Sequence, residues 1–301
     1  MSEAVKGIVA LVVAATVWGL SSLYYAQLRH LPPLEVLCYR SLWSLLFFGI
    51  ILTWQGRLGQ LRGALGTPRK FGVIFLAASL IGANWFGFIF AIKFGYAVEA
   101  SMGYYIFPLF VVMLGRFVLG ESLSNWQWGA VALAAFAVLI LAVGLGVPPW
   151  IALGLAFTFG GYGLVKKQLD LGPVLSVTAE VLTLAPFALT YLFLFGTPDK
   201  DWGTQILLAL SGPLTASPLI FFAYGTRRVR LSTVGILQYV NPTLQFVVAT
   251  TVFLEPFTLW HGIAFPMIWV ALVLYSVAAI RQDRASRRAV SSAAVSSTTV
   301  T

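Results

Sequence analysis

Charge is what this sequence has least of. Only 10% of its 301 residues are Asp, Glu, Lys or Arg, against about 25% in a soluble domain, so too little polar surface is available to cover a water-soluble fold. There is one cysteine, Cys38, which excludes an intramolecular disulfide and a thiolate metal cluster. The histidines number two, His30 and His261. Zinc chemistry is not expected from them, and with the cysteine so far off they offer no nucleophile and base for an intramembrane hydrolase. No Walker loop follows a strand, so ATP drive has no support and no cofactor is expected. The net charge of +9 would suggest nucleic acid in a soluble chain. Here the basic residues stand in short gaps between apolar runs, which is the pattern of membrane topology, and nucleic acid is not an expected partner.

In place of charge there is apolar length. Hydrophobic residues make up 59% of the chain and the mean hydropathy is +0.89. Crossing a hydrocarbon layer takes about 20 residues. Ten runs of that order can be placed, near 7–28, 34–54, 71–92, 98–119, 126–146, 150–168, 174–195, 204–225, 231–254 and 258–280. The charge-free stretch from Ser122 to Val165 is too long for one helix, and Pro148-Pro149 divides it. The first run lacks a small-residue cleavage site and is expected to be a retained helix.

The chain also repeats itself. Adding 134 turns Tyr105, Pro108, Val118, Glu121 and Trp126 into Tyr239, Pro242, Val252, Glu255 and Trp260. Adding 144 pairs Trp18-Gly19 with Tyr162-Gly163, adding 140 pairs Pro33 with Pro173, and adding 132 pairs Gly103 with Gly235. The change from 132 to 134 places two extra residues before Pro242, and with them a local irregularity of the ninth helix. A unit holding an odd number of crossings must invert between its copies, which is the architecture of secondary transporters. The expectation is an all-α membrane protein of ten transmembrane helices in two inverted five-helix repeats, 1–148 and 149–281. A basic, Ser/Ala/Thr-rich tail, 282–301, has no core to bury and is expected to be disordered. With the N-terminus in the cytoplasm, 15 Lys and Arg fall in inside loops against Arg29, Lys93 and Lys200 outside, Arg40 lying within a span. That bias puts both termini inside.

Several short motifs carry a family resemblance over Lys6 to about Ile280. They are Trp18-Gly19, Arg40-Ser41-Leu42-Trp43-Ser44, Asn84-Trp85, Glu99-Ala100-Ser101-Met102-Gly103-Tyr104, Leu153-Gly154-Leu155-Ala156-Phe157, Tyr162-Gly163-Leu164-Val165, Glu180, Leu231-Ser232-Thr233 and Gln238-Tyr239. Together they resemble RarD-type permeases of the EamA branch of the drug/metabolite transporter superfamily. The resemblance implies a multi-pass permease of the bacterial inner membrane with a central substrate cavity and alternating access. Two departures stand where polarity could be read: Phe107 and Lys93 occupy positions at which the family tends to carry Asn. Substrate identity is therefore not carried over.

Candidate sites begin with residues that are expensive in lipid. A charge at the bilayer centre costs about 2.5 to 3.5 kcal/mol, so Arg40 and Glu180 are not expected to face it. The offset of 140 relates them. Either they pair across the axis between the repeats, or each snorkels separately near an interface. Asn84, Trp85, Tyr104, Tyr105, Gln238, Tyr239 and Asn241 form an amphipathic set near Pro108 and Pro242, each of which frees a carbonyl one turn earlier. They either wall a cavity or glue helices together. Glu121 and Glu255 read as structural, at helix ends followed by interfacial Trp126 and Trp260. Gly160, Gly161 and Gly163 read as close-approach positions. The function expected is a permease or exporter whose partners are the lipid bilayer and a small-molecule substrate, with the proton as candidate coupling ion. A lipid flippase of related fold is the alternative.

Overall fold

The computed structural model describes residues 3–119, 123–146, 149–166, 169, 171–226, 228 and 237–298. Glu121, Pro148, Leu231-Ser232-Thr233 and Gly235 lie outside them. The described residues form helices and connections: α1 Glu3–Gln27, α2 Pro33–Trp54, α3 Gln60–Leu65, α4 Pro68–Phe94, α5 Ala97–Leu119, α6 Asn125–Leu145, α7 Trp150–Lys166, α8 Pro173–Phe195, α9 Trp202–Thr226, α10 Val240–Thr251 and α11 Leu259–Thr298. Seven are long and apolar enough to cross a membrane: α1, α2, α4, α6, α8, α9 and the Leu259–Ala278 part of α11. Apolar α7 is shorter, at 17 residues.

Local chemistry explains the boundaries. Pro33, Pro68 and Pro173 each stand at a helix start, where the missing N–H costs nothing. The Thr67 side chain accepts from Lys70 N at the head of α4. Ser124 and Gln127 form a capping box on α6. Gly95 and Gly146 end α4 and α6 in the left-handed region, at φ 77° and 68°.

Three findings depart from or refine the expectation. A short helix, α3, occupies the connection after α2. Residues Gln238 and Tyr239 form a turn before α10, an irregularity of the kind expected ahead of Pro242. The helix α11 runs on through Thr298, so its described backbone includes 282–298.

Large apolar side chains cover much of the outside, while several polar ones lie buried within a largely hydrophobic interior. Ile50, Phe117, Leu139, Phe187 and Phe193 are exposed, whereas Glu35, Arg40, Ser44, Asn84, Glu180 and Gln245 are buried. That arrangement suits a hydrocarbon surrounding, in which polar groups must be satisfied internally. Packing between elements is also patterned. Exchange α1 with α7, α2 with α8, α4 with α9, α5 with α10 and α6 with α11. The contact of α1 on α9 then becomes that of α7 on α4, α1 on α10 becomes α7 on α5, and α2 on α9 becomes α8 on α4, all of which are present. The contacts of α2 on α8, α5 on α10 and α6 on α11 map onto themselves and are present too. Connected helices run in opposite senses. Below, the end of the bundle where α1 begins is the near end, and the end where α1 stops is the far end.

Candidate functional site

Arg40 and Glu180 are both buried, as their cost in lipid demanded, but they do not pair. Glu180, with no exposed surface, receives Lys166 Nζ at 2.6 Å on Oε1, the Ser176 hydroxyl at 2.8 Å on the same oxygen, and the Tyr162 hydroxyl at 3.0 Å on Oε2. Lys166 also donates to Ser176. The pair across the axis is thus corrected: repeat-related positions are equivalent, and equivalence does not make them neighbours. Glu180 faces α7, the first helix of the second half. Arg40 faces α4 and α1 of its own half.

The Arg40 guanidinium lies 4.1 Å from the Trp85 ring centroid and 5.5 Å from that of Tyr25. It is 7% exposed. No carboxylate among the described residues stands within ion-pair distance, and its Nε has no hydrogen-bond partner. Rings extend the surroundings from α1 to α7. Tyr25 meets Phe88 at 5.8 Å, Phe88 meets Tyr104 at 6.1 Å, and Tyr104 meets Phe159 at 6.1 Å. Four helices, α1, α4, α2 and α9, close a ring by packing each on the next, while neither α1 with α2 nor α4 with α9 is a packed pair among the described residues. Arg40, Tyr25 and Trp85 belong to three of the four.

Asn84 and Tyr104 are tied down. Asn84 Nδ2 donates to the Leu155 carbonyl at 3.0 Å and to Thr158 Oγ1 at 3.1 Å, and its Oδ1 accepts from the Tyr104 hydroxyl at 3.3 Å. Tyr105 is buried away from Arg40. Its hydroxyl shares a 2.7 Å bond with Thr243, and its ring packs edge-on against Phe265 at 5.7 Å. Tyr239 gives its carbonyl to Thr243. Asn241 Oδ1 accepts from Gln245 at 2.9 Å, and Gln238 Nε2 is buried without a partner. α5 is helical through Pro108, and Pro242 is buried in the first turn of α10.

Sequence reasoning missed the polar contacts of the far end. Glu35 accepts from the Thr197 amide and hydroxyl at 3.1 and 2.6 Å and pairs with Lys200 at 2.7 Å. Burial alone would lower the Lys200 ammonium, but the Glu35 carboxylate more than offsets it and holds it above the usual lysine range. Lys200, Tyr39, Trp43, Thr197 and Gln205 line a pocket of 320 Å³ there. Glu255 does carry a structural load: its two oxygens accept from Ala97 N at 2.9 Å and Val98 N at 2.8 Å, capping α5 from the other half. No local pattern announced these bonds, because each joins residues about 160 positions apart in sequence.

Comparison with known proteins supplies context for this interior. The profile of the EamA-like transporter family matches twice, over 5–143 and 149–277. A Streptomyces exfoliatus protein named RarD is 42% identical over 285 residues, covering 92% of this chain and 90% of its own. The uncharacterized transporter YojE of Bacillus subtilis is 40% identical over 295 residues, covering 95% and 98%. A solved crystal structure superposes with a TM-score of 0.63 at 16% identity, over 90% of this chain and 97% of that one. It shares the fold.

Proposed function

Because this chain belongs to the EamA-like transporter family, and so is a multi-pass membrane transporter, we propose that it moves a small metabolite or drug-like molecule across the bacterial inner membrane by alternating access. In this reading ten helices span the membrane as two inverted five-helix repeats, 1–148 and 149–281, with both termini cytoplasmic and the far end outside. The packing pairs that survive exchange of the two halves support the repeat, and the 15 to 3 distribution of Lys and Arg supports the orientation.

One observation carries the transport reading. A charged arginine sits in the interior against two aromatic rings, its Nε has no hydrogen-bond partner, and no acid among the described residues stands within ion-pair distance. A group that costly is kept where it handles a ligand. Rocking of one repeat against the other would open this interior to each side in turn. Glu180 is the candidate carrier of a coupling proton, since protonation would release Lys166.

The test needs no known substrate. With Cys38 replaced, a single cysteine at Ser44 should be labelled by a membrane-impermeant thiol reagent in both right-side-out and inside-out vesicles. Labelling from one side only, whatever the pH, would contradict alternating access.

A further inference from the structure

Arg40 Nε is not alone in lacking a hydrogen bond. The hydroxyls of Ser22 and Ser44, 1% and 0% exposed, also make no hydrogen bond. Serines in apolar helices usually satisfy themselves on a carbonyl one turn back, and Ser21, Ser41, Ser79, Ser101 and Ser211 do so here. Ser22 precedes Tyr25 by one turn on α1, and Ser44 follows Arg40 by one turn on α2. The two helices are antiparallel, and Tyr25 lies against the guanidinium. Both orphan hydroxyls therefore fall on the same side of it, one turn nearer the near end. Three unpartnered donors thus stand within about a turn of one another in register, on two helices that are not a packed pair among the described residues.

Guanidinium does not deprotonate in proteins, so Arg40 stays cationic, and an uncompensated buried charge is strongly unfavourable. The neighbouring cations are engaged elsewhere: Lys166 on Glu180, Lys200 on Glu35, Lys93 on the Leu31 carbonyl and Arg29 on the Ile92 carbonyl. A buried positive charge with no acid of the described residues in ion-pair distance, with unpartnered donors and flanking rings, calls for one negative charge on an apolar body.

We propose that Arg40, Ser22 and Ser44 form the recognition site for an organic monoanion, a carboxylate whose apolar part lies against Tyr25 and Trp85. The inference rests on the transport reading and adds the substrate class. A phosphate dianion fits less well, because a lone arginine would leave half its charge unbalanced. A cationic substrate would be repelled.

Thermal unfolding of the purified full-length protein tests this with benzoate, 3-phenylpropionate and hexanoate as anionic probes, benzamide as a neutral one and benzylamine as a cationic one. At least one carboxylate should raise the unfolding midpoint saturably, and benzamide and benzylamine should not. Arg40→Met should unfold at or above the wild-type midpoint without probe, since it removes an uncompensated charge, and should weaken the carboxylate response about thirtyfold or more. Arg40→Lys should keep the preference for anions at a higher half-saturating concentration. The inference is overturned if Arg40→Met unfolds well below the wild type, if no carboxylate shifts the wild type, or if benzylamine stabilises instead. Any of these with cysteine labelling still alternating at Ser44 leaves the transport reading standing, whereas one-sided labelling removes that reading by itself.

Discussion

A carboxylate with no exposed surface needs a cation or a proton, and Glu180 has the cation. Breaking a buried pair by removing one partner costs about 3 to 5 kcal/mol, because the other charge is stranded. Glu180→Leu should therefore destabilise strongly. Glu180→Leu with Lys166→Met should recover part of the loss, showing coupling of about 1 to 3 kcal/mol. The cycle between Arg40 and Glu180 should be additive, and denaturation of the six proteins in detergent reads both. Coupling between Arg40 and Glu180 would place them in contact after all. The expense of charge in lipid made both residues legible in the sequence. Their partners were not legible. Lys166 stood among the loop charges that set topology, and nothing local says that a helix-end lysine folds back on an acid 14 residues later. Ser22 and Ser44 were invisible for another reason: a serine in an apolar helix is ordinary, and only the geometry reveals that its hydroxyl is unused.

Elements in this fold approach closely where glycine lets them. A Cβ on Gly103 of α5 would sit 2.8 Å from the Ala152 carbonyl and 3.0 Å from Leu155 Cβ on α7, and one on Gly19 of α1 would sit 2.7 Å from Leu244 Cβ on α10. The two contacts join helix pairs that correspond under exchange of the halves, with the glycine on opposite members of the pair. Gly103→Ala should push α5 from α7 and cost about 1 to 3 kcal/mol, while Gly129→Ala, with open space around it, should be neutral or slightly stabilising. Equal effects on unfolding would deny the close approach. Of the glycines singled out in α7, a Cβ on Gly160 would sit 2.6 Å from Phe110 and one on Gly161 3.5 Å from Leu80, while one on Gly163 would meet nothing within 4 Å. Helix positions followed from apolar length and from proline and glycine at the ends. The short α3 escaped because six residues carry too little periodicity to read.

Across the whole molecule, the two ends are held together differently. At the far end the halves are joined by Glu35 on Lys200 and Thr197, by Glu255 on the first amides of α5, by His30 with Thr204, and by Arg29 over Phe253 at 4.4 Å. At the near end Arg228 meets Glu3 at 2.9 Å, largely exposed, and exposed pairs contribute little. A transporter working by rocking must break the far-end set to open at that end. The central claim is tested most directly by two spin-label distances in Cys38-free protein, one between Phe94 and Leu254 at the far end and one between Trp54 and Tyr224 at the near end. All four side chains are exposed. The account predicts two populations at each end whose weights shift with pH or with a carboxylate probe, the far distance lengthening as the near one shortens. A single unchanging distance at both ends, or two distances that lengthen together, would contradict it.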